Sequence, residues 1–156
     1  MTINRRTQDS MPHRSASGYD LGPITASARE RLARNLSVDE RRILLEGATE
    51  RAFCGTLLNN KAEGIYACRL CGLPLFLSTT KFESGTGWPS FFEPFDPDHM
   101  RHVEDYSHGV VRTEIRCRRC DGHLGHVFPD GPPPTHLRYC LNSGALKFLP
   151  KGEHSP

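Results

Sequence analysis

The segment HGVVRTEIRCRRC, residues 108–120, joins an alternating strand pattern to a pair of cysteines. In an extended chain, Val111, Thr113 and Ile115 lie on one face, and the charged residues between them lie on the other. The strand runs directly into a Cys-x-x-Cys pair, which is typical of a metal-binding turn. This segment predicts a β domain in which a bound metal supplements a small hydrophobic core.

A second Cys-x-x-Cys pair lies upstream, so that four of the six cysteines form two pairs: Cys68, Cys71, Cys117 and Cys120. Two such pairs complete a tetrahedron around a structural zinc ion and leave no coordination position for a substrate. An iron site, a redox dithiol and four unrelated buried cysteines are the alternatives. Cys54 and Cys140 stay outside this set and are free for chemistry.

Helical signals are confined to the first part of the chain. A helix is predicted from about Thr25 to Asn35, and a second begins with a capping box of Ser37 and Glu40 and ends at Gly47. The short β-prone runs that follow, separated by glycine and proline, are GIYACR, PLFLS, HVF, LRYCLN and ALKFL. The predicted fold is mainly β, with a short helical N-terminus before an antiparallel domain that a metal holds together.

Length, charge and hydropathy bound the organisation and the partners. The chain has 156 residues, which fits a flexible, polar arm over residues 1–23 and one domain over residues 24–150. A net charge of +2 does not favour a nucleic-acid or membrane-surface partner. No apolar run approaches the roughly 20 residues that span a bilayer, and the N-terminus lacks a secretory stretch. We therefore expect a cytoplasmic protein, in a compartment where paired cysteines indicate metal binding or redox catalysis.

Cys140 lies in the run RYCLNSG, where a strand would place Arg138, Cys140 and Asn142 on one face. A neighbouring cation lowers the pKa of a thiol and raises its thiolate fraction. The pattern therefore indicates a reactive cysteine. The alternative is that Cys140 is a small core residue.

Two histidines, His123 and His126, lie in the run DGHLGHVF. Each could act as a general acid or hold Cys140 as a thiolate. A spacing of three places them on opposite faces of an ideal strand, so both reach one site only if Gly122 or Gly125 breaks the alternation. The alternative is one surface histidine and one packed histidine.

Two aromatic residues could line a site beside these groups. Trp88 lies in the loop sequence SGTGWPSF, where it could form the wall of an apolar pocket or cover the edge of the β domain. Phe128 follows His126 by two residues and would share its face of a strand. It could line the same site or be an ordinary core residue.

The runs KFESGTGWPSF, HLGHVF and RYCLNSGAL, together with the two cysteine pairs, closely resemble the methionine-R-sulfoxide reductases of the MsrB family. The resemblance extends from about Ser37 to Leu149. It implies two small antiparallel sheets and a structural zinc site remote from the catalytic face. It also implies reduction of the R epimer of methionine sulfoxide, free or within proteins.

The resemblance further implies a role for each site residue. Cys140 would be the nucleophile, and Trp88 would line the pocket for the substrate methyl group. The residues around the sulfoxide would be His123, His126 and Asn142, with Arg138 and Phe128 beside them. Methionine would leave, Cys140 would become a sulfenic acid, and a second thiol would form a disulfide that thioredoxin reduces.

One position departs from the family pattern. Many family members carry the second thiol where this chain has Thr86, which cannot form a disulfide. Cys54 is therefore predicted to be the resolving cysteine, provided that its Cα can come within about 7 Å of that of Cys140. Alternatively, Cys54 is a bystander, and a small thiol or a thioredoxin-type protein attacks the sulfenic acid directly.

Two functions of other classes compete with this interpretation. The first is a zinc-ribbon binding module, in which Cys140 is inert and basic residues cluster on one face. The second is a related zinc-containing β fold that acts on another thiol or carbonyl substrate. Comparing activity on the two epimers of methionine sulfoxide would separate that second function from the predicted one.

Overall fold

The computed structural model describes residues 13–152. Within them, two helices precede nine strands: α1 (Ala26–Ala33), α2 (Val38–Glu46), β1 (Gly64–Cys68), β2 (Pro74–Leu77), β3 (Lys81–Phe82), β4 (Ser90–Phe91), β5 (Met100–Asp105), β6 (Arg112–Cys117), β7 (His123–Phe128), β8 (Arg138–Leu141) and β9 (Leu146–Pro150). The prediction of a mainly β fold with a short helical N-terminus is confirmed. No helix in this part of the chain combines the length and the apolar character that crossing a bilayer requires.

The strands form two antiparallel sheets, as the family resemblance implies. The smaller has the order β2-β1-β9, and the larger has the order β3-β4-β8-β7-β6-β5. Aromatic rings join them: Phe76 of the smaller sheet stacks on Phe91 of the larger at 4.5 Å between ring centroids. Tyr66 meets Phe91 edge-on at 5.0 Å, and Phe76 lies 5.6 Å from Tyr139. All four rings are buried, and aromatic rings bury large apolar surfaces, so this cluster forms part of the core between the sheets.

Both helices lie within the predicted ranges, and capping residues mark their ends. The Thr25 side chain accepts a hydrogen bond from an amide in the first turn of α1. Ser37 and Glu40 form the predicted capping box at the start of α2, and Gly47 ends it with a φ of 74°. That left-handed conformation is one that glycine adopts at little cost. Helix α2 buries Leu44 against the domain, which fixes the loop that follows it.

Strand β6 is shorter than its alternating pattern suggests. It begins at Arg112, so Val111 lies in the preceding turn with 62% of its surface exposed. The turn contains Gly109 with a φ of 76°, which ends the extended conformation. Strand β5 has no predicted counterpart, because it is an edge strand whose side chains are mostly polar and exposed.

The described part of the predicted N-terminal arm contacts the domain. Ser15 Oγ lies 2.8 Å from His99 Nε2, and Ser17 Oγ donates to Asp96 at 2.7 Å. The ring of Tyr19 lies edge-on to that of His99, at 5.3 Å between centroids. Residues 1–12 lie outside the described residues, and the domain boundary at residue 24 stays a prediction.

Candidate active site and metal centre

The two Cys-x-x-Cys pairs form turns of the same shape. The Gly72 amide donates to the Cys68 carbonyl, and the Asp121 amide donates to the Cys117 carbonyl, both at 2.8 Å. Gly72 and Asp121 both adopt left-handed backbone conformations, with φ of 83° and 60°. Aspartate is one of the few residues other than glycine that adopt this conformation routinely, so the two different sequences form one structure.

The four cysteine sulfurs lie within 4.8 Å of one another. The Sγ atoms of Cys68 and Cys120 are 3.6 Å apart, and those of Cys71 and Cys117 are 3.5 Å apart. Four thiolates bound tetrahedrally at about 2.3 Å from zinc lie about 3.8 Å from one another. The cluster could therefore hold a metal ion of that size, with all four positions filled by protein.

Two arginines support the cysteine turns from outside. Arg119 donates to the Cys71 carbonyl and Arg29 donates to the Cys120 carbonyl, both at 2.8 Å. Arg119 also donates to the Asp20 carbonyl at 3.0 Å, which ties the N-terminal segment to the metal centre. Their positive charges would offset the excess negative charge that four thiolates give a zinc site.

A separate cavity of about 280 Å³ lies beside the six-stranded sheet. Six of the predicted site residues line it: Trp88, His126, Phe128, Arg138, Cys140 and Asn142. Thr49, Thr86 and Arg112 also line it, and none of the four clustered cysteines does. Two predicted site residues, His123 and Cys54, do not line this cavity.

The sheet register explains why these residues meet. His126 pairs directly with Cys140, and Cys140 pairs with Ser90. On the next strand, Glu114 pairs with His126. Residues that pair directly across antiparallel strands share a face. One face of β4, β6, β7 and β8 therefore carries the polar groups, while Leu141 and its neighbours on the other face pack into the core.

A bulge in β7 places both histidines on this face. The register between β6 and β7 shifts at one extra residue, Leu124, which lies between His123 and Gly125. The His123 and His126 ring centroids are consequently 5.7 Å apart. The alternation breaks as the two histidines require, but the extra residue is Leu124 and not Gly122 or Gly125.

His126 is oriented by a carboxylate from β5. Its Nε2–H donates to Asp105 at 2.7 Å, and Arg112 donates to the same oxygen at 3.0 Å. Hydrogen bonds from Ser107 and His126 hold the pKa of Asp105 well below its ordinary value, so it is a carboxylate. Burial lowers the pKa of His126, against the hydrogen bond to Asp105, which raises it. This arrangement leaves Nδ1 as the nitrogen available to the cavity.

His123 has a carboxylate partner of its own. Its Nδ1–H donates to Glu114 at 2.6 Å, and Arg116 donates to the same carboxylate at 3.0 Å. Burial raises the pKa of Glu114, but the hydrogen bonds from Arg116 and His123 outweigh it and lower that pKa. His123 Nε2 is enclosed and has no hydrogen-bond partner among the described residues. His126 is therefore the better placed of the two histidines to act on a ligand in the cavity.

Burial outweighs the expected lowering of the Cys140 pKa by Arg138. Burial raises the pKa of the Cys140 thiol, and the lowering influences of Arg138 and of a hydrogen bond with Thr86 do not cancel it. Arg138 also pairs with Asp130 at 2.9 Å, and its guanidinium lies 4.4 Å from the ring centroid of Phe128. The prediction of a net lowered pKa is therefore wrong, because desolvation disfavours the thiolate more than the cation favours it.

Trp88 is held in its loop by one residue of the segment after α2. The indole Nε1–H donates to the Glu50 carbonyl at 3.0 Å, and the Glu50 amide donates to Asn142 Oδ1 at 2.9 Å. Asn142 in turn donates to the Leu124 carbonyl at 3.1 Å. Trp88 thus forms a wall of the cavity, which is the first of its two predicted placements.

Cys54 is exposed and lies in a cleft next to the cavity. Thr49 lines both the cleft and the cavity, so the two are neighbours. Cys54 and Cys140 are both free thiols. The structure does not bring Cys54 into the cavity with Cys140.

Comparison with known proteins identifies the family of this chain. A model of the SelR domain matches residues 36–150. The peptide methionine sulfoxide reductase MsrB of Caulobacter vibrioides is 59% identical over 142 residues, which cover 91% of this chain and 89% of that protein. This chain belongs to the MsrB family. The MsrB protein of Xylella fastidiosa is 59% identical over 138 residues, which cover 88% of this chain and 89% of that protein. The MsrB protein of Thiobacillus denitrificans is 58% identical over 116 residues, which cover 74% of this chain and 88% of that protein.

The sequence analysis did not identify three residues that hold this candidate site in place: Glu114, Asp105 and Glu50. Glu114 had a signal, because the alternation of β6 places it on one face with Arg112. Asp105 had none, because β5 was not predicted as a strand. Glu50 had none either, because its partners are far along the chain and it contacts Trp88 and Asn142 through its backbone.

Proposed function

We propose that this chain reduces the R epimer of methionine sulfoxide to methionine through Cys140. In this proposal Cys54 resolves the sulfenic acid, thioredoxin reduces the resulting disulfide, and zinc occupies the four-cysteine centre. The observation that carries the proposal is the cavity in which Cys140, His126, Asn142 and Trp88 meet. A cytoplasmic setting, as the sequence predicts, would supply the reductant.

The lining of the cavity suits a methyl sulfoxide. Trp88 and Phe128 offer aromatic surfaces to the methyl group and the sulfur. His126 and Asn142 offer polar groups to the oxygen. A site built around a buried hydrogen bond to the oxygen discriminates between epimers, because the wrong epimer leaves those groups unpaired.

A neutral pair of Cys140 and His126 balances the chemistry. His126 Nδ1 takes the thiol proton as the Cys140 sulfur attacks, and the imidazolium returns that proton to the transferred oxygen. The sulfur–oxygen bond of the substrate breaks, a sulfur–oxygen bond forms on Cys140, and methionine leaves. Because the products are a sulfenic acid and a thioether, no net proton is released. Because the pKa of the Cys140 thiol is raised, the thiol keeps its proton until His126 takes it during the attack. Asp105 then stabilises the imidazolium that forms transiently.

The test of the function is turnover on each epimer with a dithiol reductant. We expect methionine to form from the R epimer and not from the S epimer. Equal rates on both epimers, or activity only on another thiol or carbonyl substrate, would support the competing enzyme class. Absence of any reaction at Cys140 would support a zinc-ribbon binding module.

Zinc is the metal that best suits the four-cysteine centre. It takes four thiolates in a closed tetrahedron and has no redox chemistry, so it would hold the knuckle turns without taking part in the reaction. Cys68 and Cys71 would tie the end of β1 to the end of β6 through Cys117 and Cys120. Elemental analysis of the purified protein should find about one zinc per chain.

Asp105→Asn should lower kcat/KM for methionine-R-sulfoxide by about tenfold, because it removes the group that orients His126 and stabilises its imidazolium. Asp105 raises the pKa of His126, so its loss lowers that pKa further. The reaction needs neutral His126, which forms above its pKa. The acid limb of the kcat/KM profile should therefore move to lower pH.

Glu114→Gln is the matched comparison, because it removes the corresponding partner of His123. We expect the position of the acid limb to stay unchanged in that variant. If Glu114→Gln moves the limb and Asp105→Asn does not, then His123 is the general base instead.

Cys54→Ser should release one equivalent of methionine per chain in a single turnover but fail to cycle with thioredoxin. The nucleophile and its cavity are intact in this variant, and only the resolving thiol is lost. Rapid-quench measurement of methionine and a thioredoxin-coupled assay separate the two steps. Undiminished cycling would remove Cys54 from the mechanism.

Thr86→Cys in the Cys54→Ser background provides a positive control. Thr86 lines the same cavity as Cys140 and is close enough to lower the pKa of its thiol. A thiol placed there should form a disulfide with Cys140 and restore thioredoxin-linked cycling.

A further inference from the structure

Glu50 joins the Cys54 segment to both sides of the cavity. Its backbone carbonyl accepts from Trp88 Nε1 at 3.0 Å, and its backbone amide donates to Asn142 Oδ1 at 2.9 Å. Its carboxylate accepts from the amides of Ser143 and Gly144 at 2.8 and 2.9 Å. We call these four hydrogen bonds the Glu50 bridge.

The carboxylate part of the bridge fixes the backbone part. Each oxygen accepts one amide from the turn that directly follows Asn142, and hydrogen bonds to a charged acceptor are stronger than neutral ones. Glu50 thereby keeps its own carbonyl and amide in line with Trp88 and Asn142. Both of these residues are predicted to contact the substrate, so Glu50 positions the pocket without lining it.

Cys54 follows Glu50 in the same loop, and further contacts hold that loop in place. The Phe53 amide donates to the Gly87 carbonyl at 2.7 Å, and the Leu57 amide donates to Ser143 Oγ at 3.2 Å. At Gly55 a Cβ would lie 2.2 Å from Ser143 Oγ, which shows how closely the loop is packed there. Cys54 lines the neighbouring cleft and not the cavity of Cys140, so we expect the loop to leave these contacts when the two thiols join.

We propose that Glu50 is a positioning residue that holds the substrate pocket in the reduced enzyme, and that the Glu50 bridge breaks when Cys54 joins Cys140. This inference rests on the proposed function. The Cys54 thiol attacks the sulfur of the Cys140 sulfenic acid, the sulfur–sulfur bond forms, the sulfur–oxygen bond breaks, and water leaves with the thiol proton. The loop movement that allows this bond withdraws Glu50 from Trp88 and Asn142. The oxidised enzyme therefore lacks an assembled pocket until the disulfide is reduced.

The charge of Glu50 also acts on the nucleophile. After burial, its carboxylate is one of the influences that raise the pKa of the Cys140 thiol. Removing that charge while keeping the shape of the side chain should therefore lower this pKa. A purely structural role in loop packing would not produce such a change, so the titration of Cys140 is a second readout.

The test is Glu50→Gln in the full chain with zinc bound. Gln keeps one acceptor oxygen and presents an N–H₂ group to the other amide, which weakens the bridge. We expect the KM for methionine-R-sulfoxide to rise about tenfold, the effect of about one such hydrogen bond, while disulfide formation after the first turnover becomes faster by up to about tenfold. Opposite effects on the two steps are what distinguish a bridge that must break from a general loss of packing.

The chain contains one tryptophan, so its fluorescence reports on Trp88 alone. In the unmodified protein, emission should shift to longer wavelength when the disulfide forms, because the indole loses its acceptor and gains water. In Cys54→Ser, one equivalent of sulfoxide should oxidise Cys140 without this shift. The Glu50→Gln variant should show part of this emission shift even when its cysteines are reduced.

Glu63→Gln is the matched control, because it removes a carboxylate from an exposed ion pair with Lys151 away from the cavity. It should leave the KM, the disulfide rate and the emission unchanged. An unchanged KM together with slower disulfide formation in Glu50→Gln, or no emission shift when the disulfide forms in the unmodified protein, would overturn the inference. If the unmodified protein releases no methionine, or forms no Cys54–Cys140 disulfide, the proposed function fails instead.

Discussion

Replacing Cys140 with serine should lower kcat/KM for methionine-R-sulfoxide by at least about 10⁴-fold. A serine hydroxyl is far less nucleophilic toward sulfur than a thiol, and it cannot become a sulfenic acid. His126 and Asn142 cannot compensate, because neither can accept the oxygen covalently. Methionine release measured in a single turnover, with enzyme in excess, checks this result without any contribution from recycling.

The loss should be one of chemistry and not of fold. Cys140 is only partly buried, it pairs with Ser90 and His126 through its backbone, and serine is slightly smaller. Thermal unfolding and zinc content should match those of the unmodified protein. Cys54→Ser is the matched control, because it also removes one spare thiol but keeps the first equivalent of methionine. Turnover in Cys140→Ser would rule out the assigned nucleophile.

Replacing Cys117 with serine should leave the protein largely unfolded. Cys117 is fully buried at the end of β6, and its thiolate would be one of four ligands of the zinc ion. Zinc contributes on the order of 10 kcal/mol to the folding of small zinc domains. Domains of this size have a total stability of about 5–15 kcal/mol, so most of that margin depends on the metal.

Circular dichroism measures the predicted loss of folding, and elemental analysis measures the predicted loss of zinc. Cys117→Ser should bind no zinc and show no cooperative unfolding transition at 37 °C, and a strong chelator should do the same to the unmodified protein. Cys54→Ser and Cys140→Ser should keep the metal, because both thiols lie outside the cluster. A metal-free Cys117→Ser protein with an unchanged transition would show that the centre is not structural.

The sequence predicted the elements that depend on local chemistry. The capping box of Ser37 and Glu40 involves groups within one helical turn, so the start of α2 could be read directly. The strand segments with apolar alternation or apolar runs were found for the same reason. Strand β5 was missed because an edge strand faces water on much of its surface and so has no apolar pattern.

The candidate site also has some features that local sequence predicts and others that depend on distant residues. Cys140, His126 and Trp88 were identified from their motifs, and the cavity contains all three. The bulge at Leu124 was anticipated only as a condition on the histidines, because a register shift depends on the partner strand. The pKa of Cys140 was predicted with the wrong sign, because its burial depends on residues far along the chain.

By itself, the sequence determined the family, the division of the six cysteines into a quartet and two spare thiols, and the order of the main elements. These depend on residue type and on spacing over a few positions. Only the tertiary structure decided that Asp105 orients His126, that His123 is enclosed, and that Glu50 connects the Cys54 loop to Trp88 and Asn142. The physical reason is that each of these is a contact between strands or loops distant in sequence, whose approach is set by sheet register and packing and not by local pattern.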